Sequence, residues 1–374
     1  MSALHVVQIG FLADRQRRAP EQLLRDWYTL EYVAEAALAG GNRVTVLQAC
    51  FHREHIRQRG VDYEFVPPDG AHAFGAGEFA ARFAALEPDV VHVHGLGFHN
   101  DVLALHARRP AVPILLQDHA DRPPRIWRRG LWRRGFSAVR GIAFCSYEQS
   151  RPFAAARLLP GNLEVFEIAQ WSAPFQPGDQ SESRAATGLH GDPCLLWVGH
   201  LNSNKDPLTV LDGLSLAARE LPGFTMWCCF GNAPLLPQVQ ARIEGDSALR
   251  GRVHLLGKVP HERMESLLRA ADVFVLGSHR EGSGCALIEA MGCGLTPVVS
   301  DIPSFRSLTG GGAVGRLWKA GDPAQFANAL LSIAKEPRAA LRVATRAHFD
   351  VTASPQALGR QFDSIYRRLR GASP

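Results

Sequence analysis

Short apolar runs alternate with segments of helical periodicity along this chain of 374 residues. The β-rich runs of the first half occupy residues 5–9, 44–48, 90–94, 114–117 and 142–145. Residues 21–38, between the first two runs, show the spacing of apolar positions that is typical of a helix. Strands that alternate with helices form a parallel sheet covered by helices on its faces, so an α/β domain is predicted here.

The second half of the chain repeats the alternation. Its apolar runs occupy residues 194–198, 224–230, 253–256, 273–276 and 297–300. Helices are predicted around residues 207–219, 261–270, 285–292 and 323–334. Because the length also suits two ordinary cores, the predicted fold class is α/β with two Rossmann-like, doubly wound domains.

Residues 173–190, in and beside a stretch rich in proline, glycine and polar residues, are predicted to link the two domains. The expected N-terminal domain is then 1–172 and the C-terminal domain 191–350. A last segment, 351–374, contains helical periodicity from about residue 355.

Composition excludes several classes of protein. With 46% hydrophobic and 21% charged residues, the chain is neither disordered nor a membrane bundle, and no apolar run approaches about 18 residues. The N-terminus lacks the pattern of a secretory signal, so a cytoplasmic protein is expected. Seven cysteines without a Cys-x-x-Cys pair indicate thiols in a reducing compartment, not disulfides or zinc ligands.

One loop of the second half carries two glutamates eight residues apart, Glu281 and Glu289, directly after the run 273–276. Gly282 and Gly284 let the backbone turn sharply and leave room for a ligand, so a strand, a tight loop and a helix start are predicted. The unpaired N–H groups and positive dipole end of that helix suit a phosphate or a sugar hydroxyl. Glu289 is then placed to accept hydrogen bonds from a diol such as a ribose.

A structural interpretation of this loop stays open. In it Ser283 caps the helix, Glu281 and Glu289 are solvated acids, and the glycines only form a turn. A second element upstream favours the binding interpretation. The run 195–198 is followed by Gly199, and Lys205 stands in a polar loop just before the next predicted helix. A lysine there can place a compact charge on a diphosphate, or it is an exposed lysine in an ordinary loop.

The two elements together resemble the signatures of the retaining GT-B glycosyltransferases usually called family four (glycosyl transferases group 1). That family has a Gly-Arg-Leu loop followed by a lysine, then two glutamates separated by seven residues with a glycine-containing loop between them. The similarity covers residues 193–334. It implies two domains that face each other across a cleft, an acceptor side in 1–172, a nucleotide-sugar site in 191–350, and a C-terminal helix that crosses back.

Residue roles follow from the resemblance. It implies that Lys205 holds the donor diphosphate, Glu289 the ribose hydroxyls and Glu281 the hydroxyls of the transferred sugar, with the loop 257–262 beside the base. The donor-binding residues it implies are Gly199, His200, Lys205, Val259, Glu281, Gly282, Ser283, Gly284, Cys285, Ala286 and Glu289. It implies His119, Lys205 and Glu281 as catalytic residues and no metal or other cofactor. No Asp-x-Asp motif is present.

The chain departs from the family pattern in two places. His200 replaces the arginine that accompanies the lysine, and an unperturbed histidine titrates near about 6.5, so it is a weaker and pH-dependent cation. The loop after the first strand, residues 9–20, has one glycine and three arginines where many relatives are rich in glycine. Acceptor recognition is therefore not inferred from the family.

Strand ends of the first half offer candidates for the acceptor side. His94 and His119 follow apolar runs, and a histidine can polarise a hydroxyl near neutral pH. Since the chain has 15 histidines, a structural role for any one of them is the simpler interpretation. The resemblance places a histidine near this strand end and favours His119. Asp118 is its rival, and Arg125 completes the predicted acceptor residues.

The segment 122–140 has seven arginines and no acidic residue, +7 against a chain total of +5. Because Trp127, Leu131, Trp132 and Phe136 lie among the arginines, the segment can lie on an anionic membrane or receive a diphosphate-linked acceptor. The alternative is a solvated helix whose aromatic side chains pack inward. No nucleic-acid-binding motif accompanies the charge, so nucleic acid is not a predicted partner.

The predicted function is transfer of a hexosyl-type sugar from a nucleoside-diphosphate donor to a hydroxyl of a glycan or lipid-linked acceptor, with retention. The resemblance implies retention, freedom from metal, and work in cell-surface polysaccharide or glycolipid synthesis. The expected location is the cytoplasm or the inner face of the membrane. Two alternatives remain: a nucleotide-sugar epimerase or hydrolase of the same fold, and a non-catalytic relative that binds a sugar nucleotide or a partner.

Overall fold

A computed structural model describes residues 2–70 and 74–371. The ends of the predicted first domain and C-terminal segment, Met1 and residues 372–374, lie outside the described residues. The chain forms two compact units. The first unit comprises residues 1–172 together with 355–374, and the second comprises residues 173–354.

The first unit begins with eight strands and six helices. In chain order they are β1 (His5–Gly10), α1 (Pro20–Asp26), α2 (Tyr28–Ala39), β2 (Arg43–Ala49), β3 (Glu54–Gln58), β4 (Val61–Val66), α3 (Glu78–Leu86), β5 (Val90–His94), α4 (His99–Arg108), β6 (Ile114–Gln117), a 3-10 turn (Ile126–Arg128), α5 (Arg129–Ser137), β7 (Gly141–Phe144), α6 (Tyr147–Ala155) and β8 (Glu164–Glu167).

These strands form one sheet in the order β3-β4-β2-β1-β5-β6-β7-β8. Every neighbouring pair is parallel except β3 and β4, which form an antiparallel hairpin at one edge. The chain leaves β1 toward β2 and later returns to its other side with β5. In such a sheet, ligands bind beyond the carboxyl ends of the strands on either side of this reversal.

The second unit contains six strands and eight helices. In chain order they are α7 (Gln180–Thr187), β9 (Cys194–Val198), α8 (Pro207–Ala217), β10 (Thr225–Cys229), α9 (Leu236–Glu244), β11 (Val253–Gly257), a 3-10 turn (His261–Arg263), α10 (Met264–Ala270), β12 (Val273–Leu276), α11 (Cys285–Gly292), β13 (Thr296–Ser300), α12 (Pro303–Leu308), β14 (Arg316–Trp318), α13 (Pro323–Ala334) and α14 (Arg338–Thr352).

The second sheet is parallel throughout, in the order β11-β10-β9-β12-β13-β14. Its order reverses between β9 and β12, so the loops that follow these two strands leave the sheet side by side. Strands β12 and β13 are buried along their whole length because helices cover both faces, which explains the continuous apolar sequence of β12. The reversal places the Lys205 loop beside the Glu281 loop.

The last helix, α15 (Pro355–Gly371), belongs to the first unit. Gly359 touches the backbone of α2, and a Cβ on Gly359 would lie 2.4 Å from the carbonyl oxygen of Ala36. Farther along the helix, the Tyr366 hydroxyl lies 2.9 Å from Nδ1 of His92 on β5. The C-terminal segment therefore packs on the first unit through both a small residue and a buried polar contact.

The structure differs from the sequence prediction in three places. The helix expected at 21–38 is two helices, because the backbone at Trp27 leaves the helical region with φ −109° and ψ 50°. The linker expected at 173–190 is part of the second unit: it contains α7, whose Arg184 pairs with Asp272 at 2.9 Å. The sequence assigned no range to strands β3, β4, β8 and β14 or to helices α3, α4, α6, α7, α9, α12 and α14.

No helix within the described ranges is long and apolar enough to cross a membrane.

Candidate functional site

The loop between β9 and α8 holds Lys205 by local hydrogen bonds. The side-chain oxygen of Asn202 accepts the Lys205 backbone N–H at 2.9 Å. Asp206, in the left-handed region with φ 49°, caps α8 by accepting the Thr209 backbone N–H at 3.3 Å. Because both flanks are fixed, Lys205 has a defined position at the carboxyl end of β9.

Lys205 pairs with Glu281 of the neighbouring loop, the one that follows β12. The two side chains are only 17% and 12% exposed, and Ser278 donates a second hydrogen bond to the same Glu281 oxygen at 2.6 Å. Backbone contacts also join the loops, since the His279 N–H donates to the Asn204 oxygen at 2.8 Å. An ammonium carries three protons, so Lys205 can hold Glu281 and still donate to a ligand.

Helix α11 begins beside this pair. Its N-cap is Gly284, with φ 85°, and a Cβ there would lie 2.5 Å from the Phe305 ring, so the corner requires glycine. The residue at the N-cap position has no side chain, and Ser283, which precedes it, is buried. Gly284 and not Ser283 therefore occupies the N-cap position, and the first N–H groups of α11 present a partial positive charge.

Cys285 and Ala286 form the first turn of α11. Burial raises the pKa of the Cys285 thiol, and the charges of Glu289, Lys205 and Glu281 also act on it. Lys205 and Glu281, from two neighbouring loops, and Glu289, from α11 itself, thus all lie near the first turn of this helix. Together with that helix N-terminus, they form an arrangement of one ammonium, two carboxylates and backbone donors.

Glu289 is buried in α11, with 4% of its surface exposed. Its Oε1 lies 2.9 Å from Nε2 of His261, in the 3-10 turn after β11. The His261 ring stacks on Phe175, with centroids 5.3 Å apart and an interplanar angle of 27°. A buried carboxylate needs a hydrogen-bonding partner, and His261 supplies it. Val259 lies in the loop that joins β11 to this turn.

His200 follows Gly199 in the loop after β9 and is exposed. The backbone N–H of Asn232 donates to its Nδ1 at 3.2 Å. A neutral His200 ring bound in this way carries its proton on Nε2, where it can donate to an acceptor such as a phosphate oxygen. Gly199 lies against the Lys205 side chain, because a Cβ there would be 3.5 Å from the lysine Cδ.

The first unit has a separate pocket of about 520 Å³ at the carboxyl ends of β1 and β5. Seven large apolar side chains line it: Phe11, Leu12, Trp27, Leu30, Val33, Phe98 and Trp171. Its polar lining side chains are Thr29, Gln48, His94, His119 and Asp121. A mostly apolar cavity with a few polar groups is the usual form of a small-molecule site.

The histidines of this pocket are neutral near neutral pH. His94 Nδ1 and His119 Nε2 lie 3.2 Å apart, so one ring donates to the other. Desolvation lowers the pKa of His119 to about 4, opposed in part by the Asp121 carboxylate, although the residue is partly exposed to solvent. Burial also holds the pKa of His94 well below its usual range and lowers that of His92, behind it, to about 3.

The other two predicted acceptor residues lie outside the pocket lining. Asp118 is buried, and its carboxylate accepts the backbone N–H groups of Ala120 and Asp121 at 3.2 and 2.9 Å, which fixes the turn after β6. Arg125 is exposed, and its guanidinium lies 5.3 Å from the centre of the Trp127 ring. In the first unit the structure therefore brings together His94 and His119, with Asp121 in place of Asp118.

Sequence reasoning missed several of the groups that shape both sites. In the second unit these are Ser278 and the contact between His261 and Glu289, and in the first unit they are the aromatic residues Phe11, Trp27, Phe98 and Trp171. The proximity of Ser278 to Glu281, three positions along one loop, was a signal in the sequence. The aromatic residues come from four separate segments and gave no such signal.

Among residues 2–70 and 74–371, no group of three or more His, Cys, Asp or Glu side chains is arranged to hold a metal ion.

Comparison with known proteins shows what this chain is similar to. Residues 179–348, all within the second unit, match the family described as glycosyl transferases group 1. The chain is 28% identical, over 75% of its length and 74% of the relative's, to the GDP-mannose:cellobiosyl-diphosphopolyprenol alpha-mannosyltransferase of Xanthomonas campestris. It is also 28% identical to the D-inositol 3-phosphate glycosyltransferase of Frankia alni, over 69% of each chain.

A solved structure is similar over nearly the whole length. The sucrose-phosphate synthase of Thermosynechococcus elongatus superposes with a TM-score of 0.70 at 17% identity, covering 99% of this chain and 100% of that one. At that level of identity the likeness concerns the fold alone. The fold is GT-B, with two Rossmann-like units, as the sequence predicted.

Proposed function

We propose that this chain transfers a sugar from a nucleoside-diphosphate donor to a hydroxyl acceptor with retention. It is a glycosyltransferase, and its residues 179–348 match glycosyl transferases group 1. The observation that carries the donor assignment is the Lys205 and Glu281 pair beside the N-terminus of α11, whose N-cap is Gly284. A diphosphate needs cationic and N–H donors, and a sugar needs a carboxylate that accepts from its hydroxyls. This site offers both within one loop pair.

Each residue has a proposed role in the donor complex. Lys205 and the backbone of residues 282–286 bind the diphosphate, and His200 donates from Nε2 to a phosphate oxygen. Glu281 accepts from the transferred sugar. Glu289, already ordered by His261, accepts from the ribose diol. The side chains of Lys205, Glu281 and Glu289 sum to a negative charge, so backbone dipoles must contribute to diphosphate binding.

Transfer replaces one bond at the anomeric carbon by another. The bond from this carbon to the diphosphate oxygen breaks, and a bond to the acceptor oxygen forms on the same face. The acceptor proton passes to the departing phosphate oxygen, so the step needs no separate base. Lys205 and the α11 N-terminus stabilise the negative charge that develops on the diphosphate, and the remaining task of the protein is positioning. Independence from metal is part of this proposal.

The pocket of the first unit is the proposed acceptor site. Its apolar lining suits an acceptor that carries an apolar group, and His119 offers a neutral ring to a hydroxyl. The relative from Xanthomonas campestris is named for an acceptor linked to diphosphopolyprenol. We extend that class to this chain: a glycan or lipid-linked acceptor in cell-surface polysaccharide or glycolipid assembly, with the chain acting in the cytoplasm.

The test begins with donor binding. Thermal melting of the protein with UDP, GDP, ADP and their common sugars should show one base family raising the midpoint, since a ligand at about 100 times its Kd stabilises the native state by about 2.7 kcal/mol. Glu289→Gln should weaken that nucleotide about tenfold to a hundredfold, because it removes a hydrogen bond to a charged group. Glu244→Gln, an exposed carboxylate of α9 in the same unit, is the matched control.

Product analysis then separates the alternatives. Transfer of the sugar to an added acceptor, with the anomeric configuration kept in the product, supports the proposal. Free sugar or an epimer formed at full rate without an acceptor would identify a hydrolase or epimerase. Nucleotide binding without any turnover would identify a non-catalytic relative. Absence of nucleotide binding, in a protein that melts cooperatively, would remove the donor assignment.

A further inference from the structure

The segment from Arg122 to the end of α5 has two faces of different character. On the inner face, Trp132 and Phe136 are buried, and Gly135 packs so closely on α4 that a Cβ would lie 2.7 Å from that of His99. The outer face carries Ile126 and Trp127, which are 72% and 69% exposed. The helix is therefore anchored by its own aromatic residues, and the exposed apolar residues are not needed for its packing.

Arginines surround these exposed apolar side chains. Leu131, on the same outer face, is exposed as well. The exposed arginines are Arg122, Arg125, Arg128, Arg133 and Arg134. Within the described ranges, none of these five has a carboxylate partner, whereas Arg18, Arg82 and Arg242 of other segments each pair with one. Exposed apolar side chains clustered among arginines without carboxylate partners are typical of a surface that binds another molecule or a membrane.

We propose that this outer face docks on an anionic lipid bilayer. Ile126, Trp127 and Leu131 enter the region between headgroups and acyl chains, where indole rings reside preferentially, and the arginines contact lipid phosphates. The planar guanidinium suits phosphate geometry, and a basic residue near an anionic surface contributes about fivefold to binding. This inference concerns binding of the protein to a surface and does not depend on the proposed transfer reaction.

The observations favour a bilayer over other occupants. A second copy of the same face would bring two arginine clusters together, and like charges repel. Nucleic acid would pair with the arginines but would leave the aliphatic side chains of Ile126 and Leu131 in water. A bilayer with anionic headgroups satisfies both the charge and the apolar groups at once.

The position of the segment gives docking a consequence for the first unit. Asp121, which lines the apolar pocket, directly precedes Arg122 in the chain. The docked face and the pocket thus leave the sheet at the same edge, after β6. An amphiphilic molecule held in the leaflet on which the protein docks would have a short path to the pocket.

The experiment is flotation of the full chain with vesicles of phosphatidylcholine alone and of phosphatidylcholine with phosphatidylglycerol. Binding is expected only to the anionic vesicles and should weaken when salt rises from about 0.1 to 0.5 M, as screening shortens the Debye length. Arg128→Gln with Arg134→Gln should lower the partition coefficient about 25-fold. Ile126→Ser with Trp127→Ser should lower it at least about tenfold, because the buried apolar area is lost.

Matched variants control for the number of residues changed. Arg219→Gln with Arg360→Gln removes two exposed arginines, one in the turn after α8 and one in α15. Val343→Ser with Val351→Ser removes two apolar side chains of α14 that are as exposed as Ile126 and Trp127. Both control pairs should bind vesicles as the unaltered chain does, and melting curves of all variants check that each is folded.

Four results would overturn the inference. They are failure of the unaltered chain to bind anionic vesicles, equal binding to neutral vesicles, vesicle binding that the Ile126 and Trp127 changes leave intact, and an equal loss in the control pairs. Self-association abolished by Trp127→Ser would assign the face to a second copy. Binding to duplex DNA without vesicle binding would assign it to nucleic acid.

Discussion

The loops after β9 and β12 of the second unit bring an ammonium and a carboxylate into contact, whereas those after β1, β5 and β6 of the first unit enclose an apolar pocket with neutral histidines. Both sites lie at the carboxyl ends of parallel strands next to a reversal of strand order. The topology therefore fixes where a site forms, and the loop residues decide its chemistry. One unit has a site suited to a charged ligand and the other a site suited to an apolar one.

The largest expected effect removes the charge from the second unit. Lys205→Ala deletes the cation that pairs with Glu281 and leaves that largely buried carboxylate to repel a diphosphate. The loss of transition-state stabilisation should be about 2 to 4 kcal/mol, or roughly 30-fold to 1,000-fold in kcat/KM. Steady-state kinetics with the donor identified by melting provides the measurement.

Lys335→Ala, an exposed lysine after α13, is the control for that prediction and should keep full activity. If Lys205→Ala turned over as fast as the unaltered protein, the charge of the second unit would not take part in the reaction. The charged pair of the second unit would then contribute to the folded structure and not to the transfer reaction.

A smaller effect is expected from changing the apolar character of the first unit. Leu12 lines the pocket and is 59% exposed, so Leu12→Ser removes apolar contact with an acceptor at little risk to the core. The KM for an acceptor that carries an apolar group should rise about tenfold, while the donor Kd stays the same. Leu216→Ser, on α8 of the second unit and 60% exposed, is the matched control.

This second prediction fails if donor and acceptor constants change together, or if Leu216→Ser has the same effect as Leu12→Ser. Either result would show that the pocket does not bind the acceptor separately from the donor. The KM for an acceptor without an apolar group should be the same in Leu12→Ser and in the unaltered protein. The two acceptors can thus be compared within one variant.

More of the charged site in the second unit than of the pocket in the first unit could be predicted from the sequence. Lys205 and Glu281 lie in the loops directly after β9 and β12, and Glu289 lies in the helix that follows β12, so local spacing was enough to place them near a helix start. The carboxylate of Glu289 has its partner in His261, 28 positions earlier in the chain, and no local pattern relates the two. The prediction therefore named the charged residues of this site and missed the contact that orders one of them.

The first pocket is assembled from segments that the sequence does not relate. Trp27 stands where the predicted single helix breaks, and Trp171 lies two residues before the start of the second unit. Their convergence depends on the crossing of α2 and the sheet, which periodicity does not encode. His94 and His119 were predictable because they directly follow strands, but their neutrality follows from burial, which only the three-dimensional structure reveals.

The smallest expected effect concerns that neutrality and appears as a dependence of stability on pH. The folded pKa values of His92, His94 and His119 lie below the unfolded value of about 6.5, because burial disfavours the charged rings. Below about pH 6.5 the unfolded chain binds protons that the folded chain does not, so stability falls as pH falls. The rings of His92 and His94 each contribute at most about 1.4 kcal/mol per pH unit in that window, and the exposed His119 contributes less.

His94→Gln removes one of these titrating groups while keeping a polar side chain beside His119. Unfolding by denaturant at pH 8 measures the packing cost of the change alone, since all the rings are then neutral in both states. Between pH 6.5 and 5 the variant should lose stability less steeply than the unaltered chain. Parallel curves for the two proteins over this range would mean that His94 takes up its proton in the folded state, and the first pocket would then be cationic, like the lysine side of the second site.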